Sequence, residues 1–152
     1  MAKLTGTAAR LLGRSKAGVV AARPSDSVLA ALELMATHNI GALVVIDGAR
    51  LVGVLSERDY ARKGELAGRT AREAKVADIM TADVVSVAPT TPITECNALM
   101  HQHRIRHLPV VEGGRVVGVL SSRDVLDELV AEEAKQIQEL ETERLMIDTG
   151  NY

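Results

Sequence analysis

The stretch GVLSERDYARK (residues 53–63) returns as GVLSSRDVLDE (residues 118–128), with Gly, Ser, Arg and Asp in step. The match does not stop there. A slide of 65 residues lays positions 19–59 on 84–124 without a gap, and 18 of the 41 pairs are identical. That is an internal duplication, and it makes the repeat, not the chain, the unit of folding.

Each copy reads as β-α-β-β-α. Val19-Val20 and Val84-Val85 are expected as short entry strands, ended by Pro24 and Pro89, because proline cannot donate to a ladder. A helix is expected over 28–38, capped by Ser25 or Ser27, with Val28, Leu32 and Met35 on one face. In the second copy Thr91 is the expected cap and Pro92 the first helical residue, with Ile93, Cys96, Leu99 and Met100 facing inward. ALVVI and RLVGVL, joined at Asp47-Gly48, form a hairpin; LPVV and RVVGVL, joined at Gly113-Gly114, form its counterpart. A second helix follows Ser56 and Ser121. The Gly-rich, charged segment 64–73 is expected as an exposed connection. The fold class is therefore α+β: tandem repeats packed as a pseudo-twofold pair, with a long C-terminal helix. The expected division is 1–66 for the first repeat with its N-terminal helix, and 67–152 for the second with linker and tail.

Composition narrows the function. The 152 residues include no Phe or Trp, so Val, Leu, Ile, Ala and Met must build the core. A net charge of −2 lacks the broad basic footprint of a general nucleic-acid-binding domain. The single Cys96 reads as a buried small apolar residue in a reducing compartment. The start lacks the apolar run of a signal peptide, and no apolar stretch approaches the ~20 residues that span a bilayer. A cytoplasmic location away from membranes is expected.

The repeated motif supports two readings. Ser-x-x-Asp at a helix start is a capping pattern, in which the hydroxyl takes a free N–H and the acid meets the positive end of the helix dipole. The same helix start also suits a phosphate. Ser56 and Ser121 can donate a hydroxyl to it, and Arg58 and Arg123 add charge. Asp59 and Asp124 each offer acceptor oxygens for the two donors of a ribose diol. Gly53 and Gly118 allow another group close to the backbone.

These features resemble a cystathionine-β-synthase-type (CBS) domain pair, also called a Bateman module, of the bacterial stand-alone kind. The resemblance covers almost the whole chain. Its carriers are the Gly-hydrophobic-x-Ser/Thr-x-x-Asp motifs at 53–59 and 118–124, with DIMT (78–81) and RHLPVV (106–111). It implies two clefts between the copies that take adenine nucleotides (AMP, ADP, ATP or NAD, and in some members S-adenosylmethionine) as regulatory ligands. The first cleft is expected to use Ser56, Arg58, Asp59, Gly41 and Ala42, with Thr81, Asp83 and Val85 opposite. The second is expected to use Ser121, Arg123, Asp124, Arg106 and His107, with Gly18, Val20 and Gly41 opposite. Aliphatic side chains such as Ile40, Ile105, Leu108 and Pro109 would sandwich the base. No residue among 13–18 clearly matches Thr81, and Gly41-Ala42 stands where the second copy has Arg106-His107. The second cleft is thus expected to be the more positive and to hold the more phosphorylated or tighter ligand.

Other patterns are weaker. GRSKAGVV (residues 13–20) lacks the Lys of a Walker loop after its second glycine. His101, His103 and His107 lack the facing arrangement of a metal site. No Ser-His-Asp set or carboxylate pair points to catalysis, so the chain is expected not to be an enzyme. The tail helix carries Val125, Leu129, Ile137, Leu140 and Leu145 as a loose stripe, which suits packing on its own module or on a second chain. A homodimer and an unknown effector protein are the expected partners. The alternatives are a ligand-free dimerisation scaffold and a nucleic-acid binder using Arg104, Arg106, His107 and Arg123.

Overall fold

The computed structural model describes residues 6–14 and 18–149. The elements run α1 (Ala8–Arg14), β1 (Ala21–Ala22), α2 (Val28–His38), β2 (Ala42–Asp47), β3 (Arg50–Ser56), α3 (Glu57–Asp59, continuing as a π-helix over Tyr60–Glu65), α4 (Val76–Ile79), α5 (Ile93–His103), β4 (His107–Glu112), β5 (Arg115–Ser121) and α6 (Ser122–Asp148). A constant offset of 65 maps α2 onto α5, β2 onto β4 and β3 onto β5.

The duplication extends to backbone detail. Both hairpins shift register at the same place, between Val45 and Ile46 and between Val110 and Val111. Both long helices end on a left-handed residue, Asn39 (φ 52°) and Arg104 (φ 53°), and Arg104 adopts it without being glycine or asparagine. The hairpin loops differ: Gly113 and Gly114 both carry positive φ, whereas in the first copy Gly48 does and Ala49 does not.

The entry strands sit two residues later than the apolar pairs suggested. β1 is Ala21–Ala22, parallel to β2 through Ala22 and Val45, and its counterpart is a single bridge between Val87 and Val110. Val20 and Val85 instead turn their side chains onto the cores. Ser27 is the cap of α2, accepting the Ala30 N–H at 3.1 Å. In the second copy Pro92, not Thr91, occupies the cap position; Thr91 Oγ1 accepts the Ala88 N–H in the preceding turn. Gly64, expected in the connection, is buried in the π-helix against Tyr60 and Ile79.

Two cores form, one per repeat, and each is completed by a segment that precedes a repeat. Val28, Ala31, Met35, Leu43, Val45 and Leu55 pack with Ala74, Val76 and Ile79 of the connection. Ile93, Cys96, Met100, Leu108, Val110, Leu120 and Val125 pack with Ala8 and Leu11 of α1. The N-terminal helix therefore lies on the second repeat, pinned by N–H donation from Ala8 to Thr91 O and from Ala9 to Pro89 O, both at 2.9 Å. β3 meets its own counterpart β5, as a two-fold relation between the copies requires. Cys96 is fully buried, and burial pushes its thiol pKa up, so it acts as a small apolar side chain.

Candidate functional site

The two Ser-x-x-Asp motifs stand where a β-strand turns into a helix. Ser56 and Ser121 are the last residues of β3 and β5 and the caps of α3 and α6. Ser56 Oγ accepts the Asp59 N–H at 3.0 Å, and Ser121 Oγ accepts the Asp124 N–H at 3.1 Å. In the first copy the cap is reciprocal, since Ser56 N–H donates to Asp59 Oδ2 at 3.0 Å. The first helical N–H is also used in both copies: Glu57 donates to Gly41 O at 3.0 Å and Ser122 to Arg106 O at 2.7 Å.

Those bonds correct the expectation of a helix start rich in free donors. Two of the first three N–H groups are satisfied within the protein in each copy, so capping is a real role of the motif. A phosphate at this point would meet the serine O–H protons, the N–H of Arg58 or Arg123 and the arginine side chains.

Gly53 and Gly118 do permit a close approach, and the group that approaches is the protein itself. A Cβ on Gly53 would lie 2.6 Å from Met80 Sδ and 3.1 Å from Thr81 O. A Cβ on Gly118 would collide with the Leu12 side chain. Leu12 and Met80 therefore play the same part, and Leu11 matches buried Ile79. By that register Gly13 stands at the place of Thr81, and the first copy has three more residues before its entry strand.

The Asp59 side gathers most of its expected residues. Gly41 and Ala42 adjoin the motif through the Glu57 bond and the pairing of Ala42 with Ser56. Thr81 arrives by an antiparallel bridge to Val54, and its Oγ1 donates to Asp59 Oδ1 at 3.4 Å. Sequence reasoning missed Lys63. Its Nζ lies 3.6 Å from Asp59 Oδ1 and donates to Thr81 Oγ1 at 3.3 Å and Ile79 O at 3.4 Å. The signal was present, because Lys63 is one helical turn beyond Asp59. Arg58 is exposed beside the motif; Asp83 is exposed and Val85 half-buried, and neither hydrogen-bonds to it among the described residues.

On the other side Arg106 and His107 flank the motif through the Ser122 bond and the pairing of His107 with Ser121. Asp124 and Arg123 are exposed. Burial, with the Arg106 charge, holds the His107 pKa below its ordinary value; Asp124 acts the opposite way. At neutral pH the histidine is uncharged, so positive charge here rests on Arg106 and Arg123. Gly18 is exposed and Val20 packs on the first repeat's core; neither hydrogen-bonds to the Asp124 motif among the described residues.

The proposed aliphatic sandwich loses two members. Leu108 is 0% exposed and Pro109 is buried, with its carbonyl taken by Val87 N–H at 3.0 Å. Ile40 and Ile105 stay partly exposed at the edges of the two cores.

A duplicated β-α-β-β-α unit with a capping Ser-x-x-Asp at each second helix defines a tandem domain pair. The CBS domain family model matches residues 15–65 and 76–131, and the chain belongs to that family. It is 38% identical over 120 residues to the mitochondrial CBS domain-containing protein CBSX3 of Arabidopsis thaliana, covering 76% of this chain and 58% of that one. This chain thus spans less than two thirds of that relative's length. It resembles the solved structure of a protein with CBS domains from Burkholderia ambifaria (TM-score 0.78, 40% identity, 83% of this chain and 95% of that one). It also resembles the CBS domain pair of protein MJ0100, solved in complex with 5′-methylthioadenosine and S-adenosyl-L-methionine (TM-score 0.72, 26% identity, 84% and 98% covered). No helix among the described residues is long and apolar enough to cross a membrane, and no cluster of His, Cys, Asp or Glu among them is placed to hold a metal.

Proposed function

We propose that the chain is a regulatory, non-catalytic module of the cytoplasm that binds an adenine nucleotide (AMP, ADP, ATP or NAD) beside each Ser-x-x-Asp motif and relays occupancy to an effector protein. The observation that carries this reading is the grouping of an exposed carboxylate, Asp124, with Ser121, Arg123, Arg106 and His107 at one β-to-α turn. Asp124 accepts from the ribose diol, Ser121 Oγ donates its remaining proton to phosphate, and Arg106 and Arg123 neutralise it. The adenosine ligands of the MJ0100 pair favour the same ligand class.

The Asp59 turn works differently. Its carboxylate already accepts from Ser56 N–H and Thr81 and faces Lys63, so a diol must compete for it. Lys63 then becomes free to meet phosphate. The two sites thus bind with unequal affinity, the Asp124 site tighter.

The competing reading is a ligand-free scaffold, and the internal use of two of the first three helix N–H groups in each copy favours it. Calorimetry and thermal shift with AMP, ADP, ATP and NAD separate the two. A ligand at a hundred times its Kd stabilises by about 2.7 kcal/mol, a shift of several degrees. No heat and no shift with any of the four would discard nucleotide sensing. An equal response to single-stranded DNA would point to the basic cluster as a nucleic-acid surface instead.

A further inference from the structure

The helix α6 is 27 residues long, about 40 Å, and its contacts with the second core lie in its first half. Val125 and Leu129 turn inward onto the second core, joined by Glu128. Along its length the same helix bares Leu126 (57% exposed), Val130 (58%), Ile137 (51%), Leu140 (65%) and Ile147 (62%). So the stripe read from the sequence divides in two: Val125 and Leu129 belong to the module, whereas Ile137 and Leu140 belong to an outward seam.

That seam has a heptad spacing. Val130, Ile137 and Arg144 are seven apart, and so are Leu126, Glu133, Leu140 and Ile147; Glu133, Leu140 and Ile147 each follow a member of the first set by three residues, and Leu126 precedes Val130 by four. Four apolar residues from 130 to 147 are thus interrupted by one acid and one base. Leu145 and Met146 lie outside it.

The two charges fix how a copy of this helix can lie on it. In a parallel pair equal positions meet, so Glu133 would face the partner's Glu133 and Arg144 the partner's Arg144, both repulsive. In an antiparallel pair with its two-fold axis between residues 138 and 139, every layer is matched. Val130 meets the partner's Ile147, Ile137 meets the partner's Leu140, and Glu133 meets the partner's Arg144. A slip of one heptad sets Ile137 on the partner's Glu133, and the opposite slip sets Arg144 on the partner's Leu140. One register satisfies all three layers, and it is self-complementary, as a two-fold dimer requires.

We propose that two copies of this chain associate through α6 as an antiparallel helix pair in this register, with Glu133 and the partner's Arg144 as its charged layers. The Arg144 side chain, now 3.9 Å from Asp148 and 85% exposed, exchanges an exposed neighbour on its own helix for the partner's Glu133. The seam residues beside the module, Leu126, Val130 and Glu133, are exposed and stand about 80–140° around the helix from Val125, so pairing leaves the packing on the module intact.

Sedimentation velocity on the full chain tests this. The wild type is expected to be dimeric at low micromolar concentration. Glu133→Arg and Arg144→Glu each place like charges together, and each is expected to weaken the dimer by about tenfold or more. The double variant Glu133→Arg/Arg144→Glu restores opposite charges and is expected to recover affinity to within about threefold of wild type. Thermal melts followed by circular dichroism confirm that all three variants fold, since both positions are exposed. A parallel pair, or a dimer through another face, would leave the single reversals unchanged; that result, a monomeric wild type, or a double variant as weak as the singles overturns the proposal.

Discussion

Lys63 and Glu128 occupy the same place in the two repeats, one turn beyond Asp59 and Asp124, and they grip opposite partners. Lys63 Nζ lies 3.6 Å from Asp59 Oδ1 and reaches Ile79 O and Thr81 Oγ1 of the connection. Glu128 Oε1 lies 3.6 Å from Arg10 Nε of α1. Each side chain ties the segment that precedes one repeat to the core it completes, with the signs reversed. The burials differ too: Glu128 is 3% exposed and Lys63 is 48% exposed.

That difference sets a stability contrast. Arg10→Met removes a cation from buried Glu128 and from Glu132, whose oxygens are buried with no hydrogen bond among the described residues. It is expected to cost ~1–3 kcal/mol. Lys63→Met is expected to cost under ~1 kcal/mol, because its ion pair is solvent-screened. Urea denaturation of both variants checks this, and equal losses would contradict it.

Asp124→Asn keeps the size of the side chain but turns one acceptor into a donor. Binding of an adenine ribonucleotide is expected to weaken by ~1–3 kcal/mol, with little change in folding, since the cap uses Ser121 Oγ and the Asp124 N–H. A 2′-deoxy ligand should bind the wild type worse than its ribose form. Calorimetry showing unchanged affinity would remove the diol role.

Arg106→Ala tests the phosphate side. The Arg106 carbonyl that receives Ser122 N–H survives the substitution, so the turn should hold. Affinity for ATP is expected to fall by ~1.5–3 kcal/mol, while adenosine loses far less. Equal losses for both would assign Arg106 to packing.

His107 makes stability depend on pH. Its folded pKa is lowered, so between that value and about 6.5 the unfolded chain binds more protons than the folded one. Stability is therefore complete above pH 6.5 and declines as the pH falls through that window. A bound phosphate would favour the imidazolium, so nucleotide affinity should rise over the same fall. Melting temperatures of the wild type and His107→Gln between pH 5 and 8 check the first point; the variant should show a flatter dependence there.

Much of the fold was legible because its signals are local. The bounds 28–38 of α2, the two hairpins and their equivalence at an offset of 65 all follow from side-chain period and turn residues. So do both caps, since Ser-x-x-Asp needs only its own four residues. The sequence also carried the heptad of α6 and the charges within it. What it did not carry was the choice of distant partners. Leu12 could cover Gly118 only once α1 crossed to the second repeat, and Leu108 could leave the candidate site only once β4 turned it inward. The split of the tail stripe, with Val125 and Leu129 inward and Ile137 and Leu140 outward, arises because α6 leaves the module halfway along its length. Periodicity defines a helix face, but which face is buried depends on where other elements end, and that is decided only when the core closes.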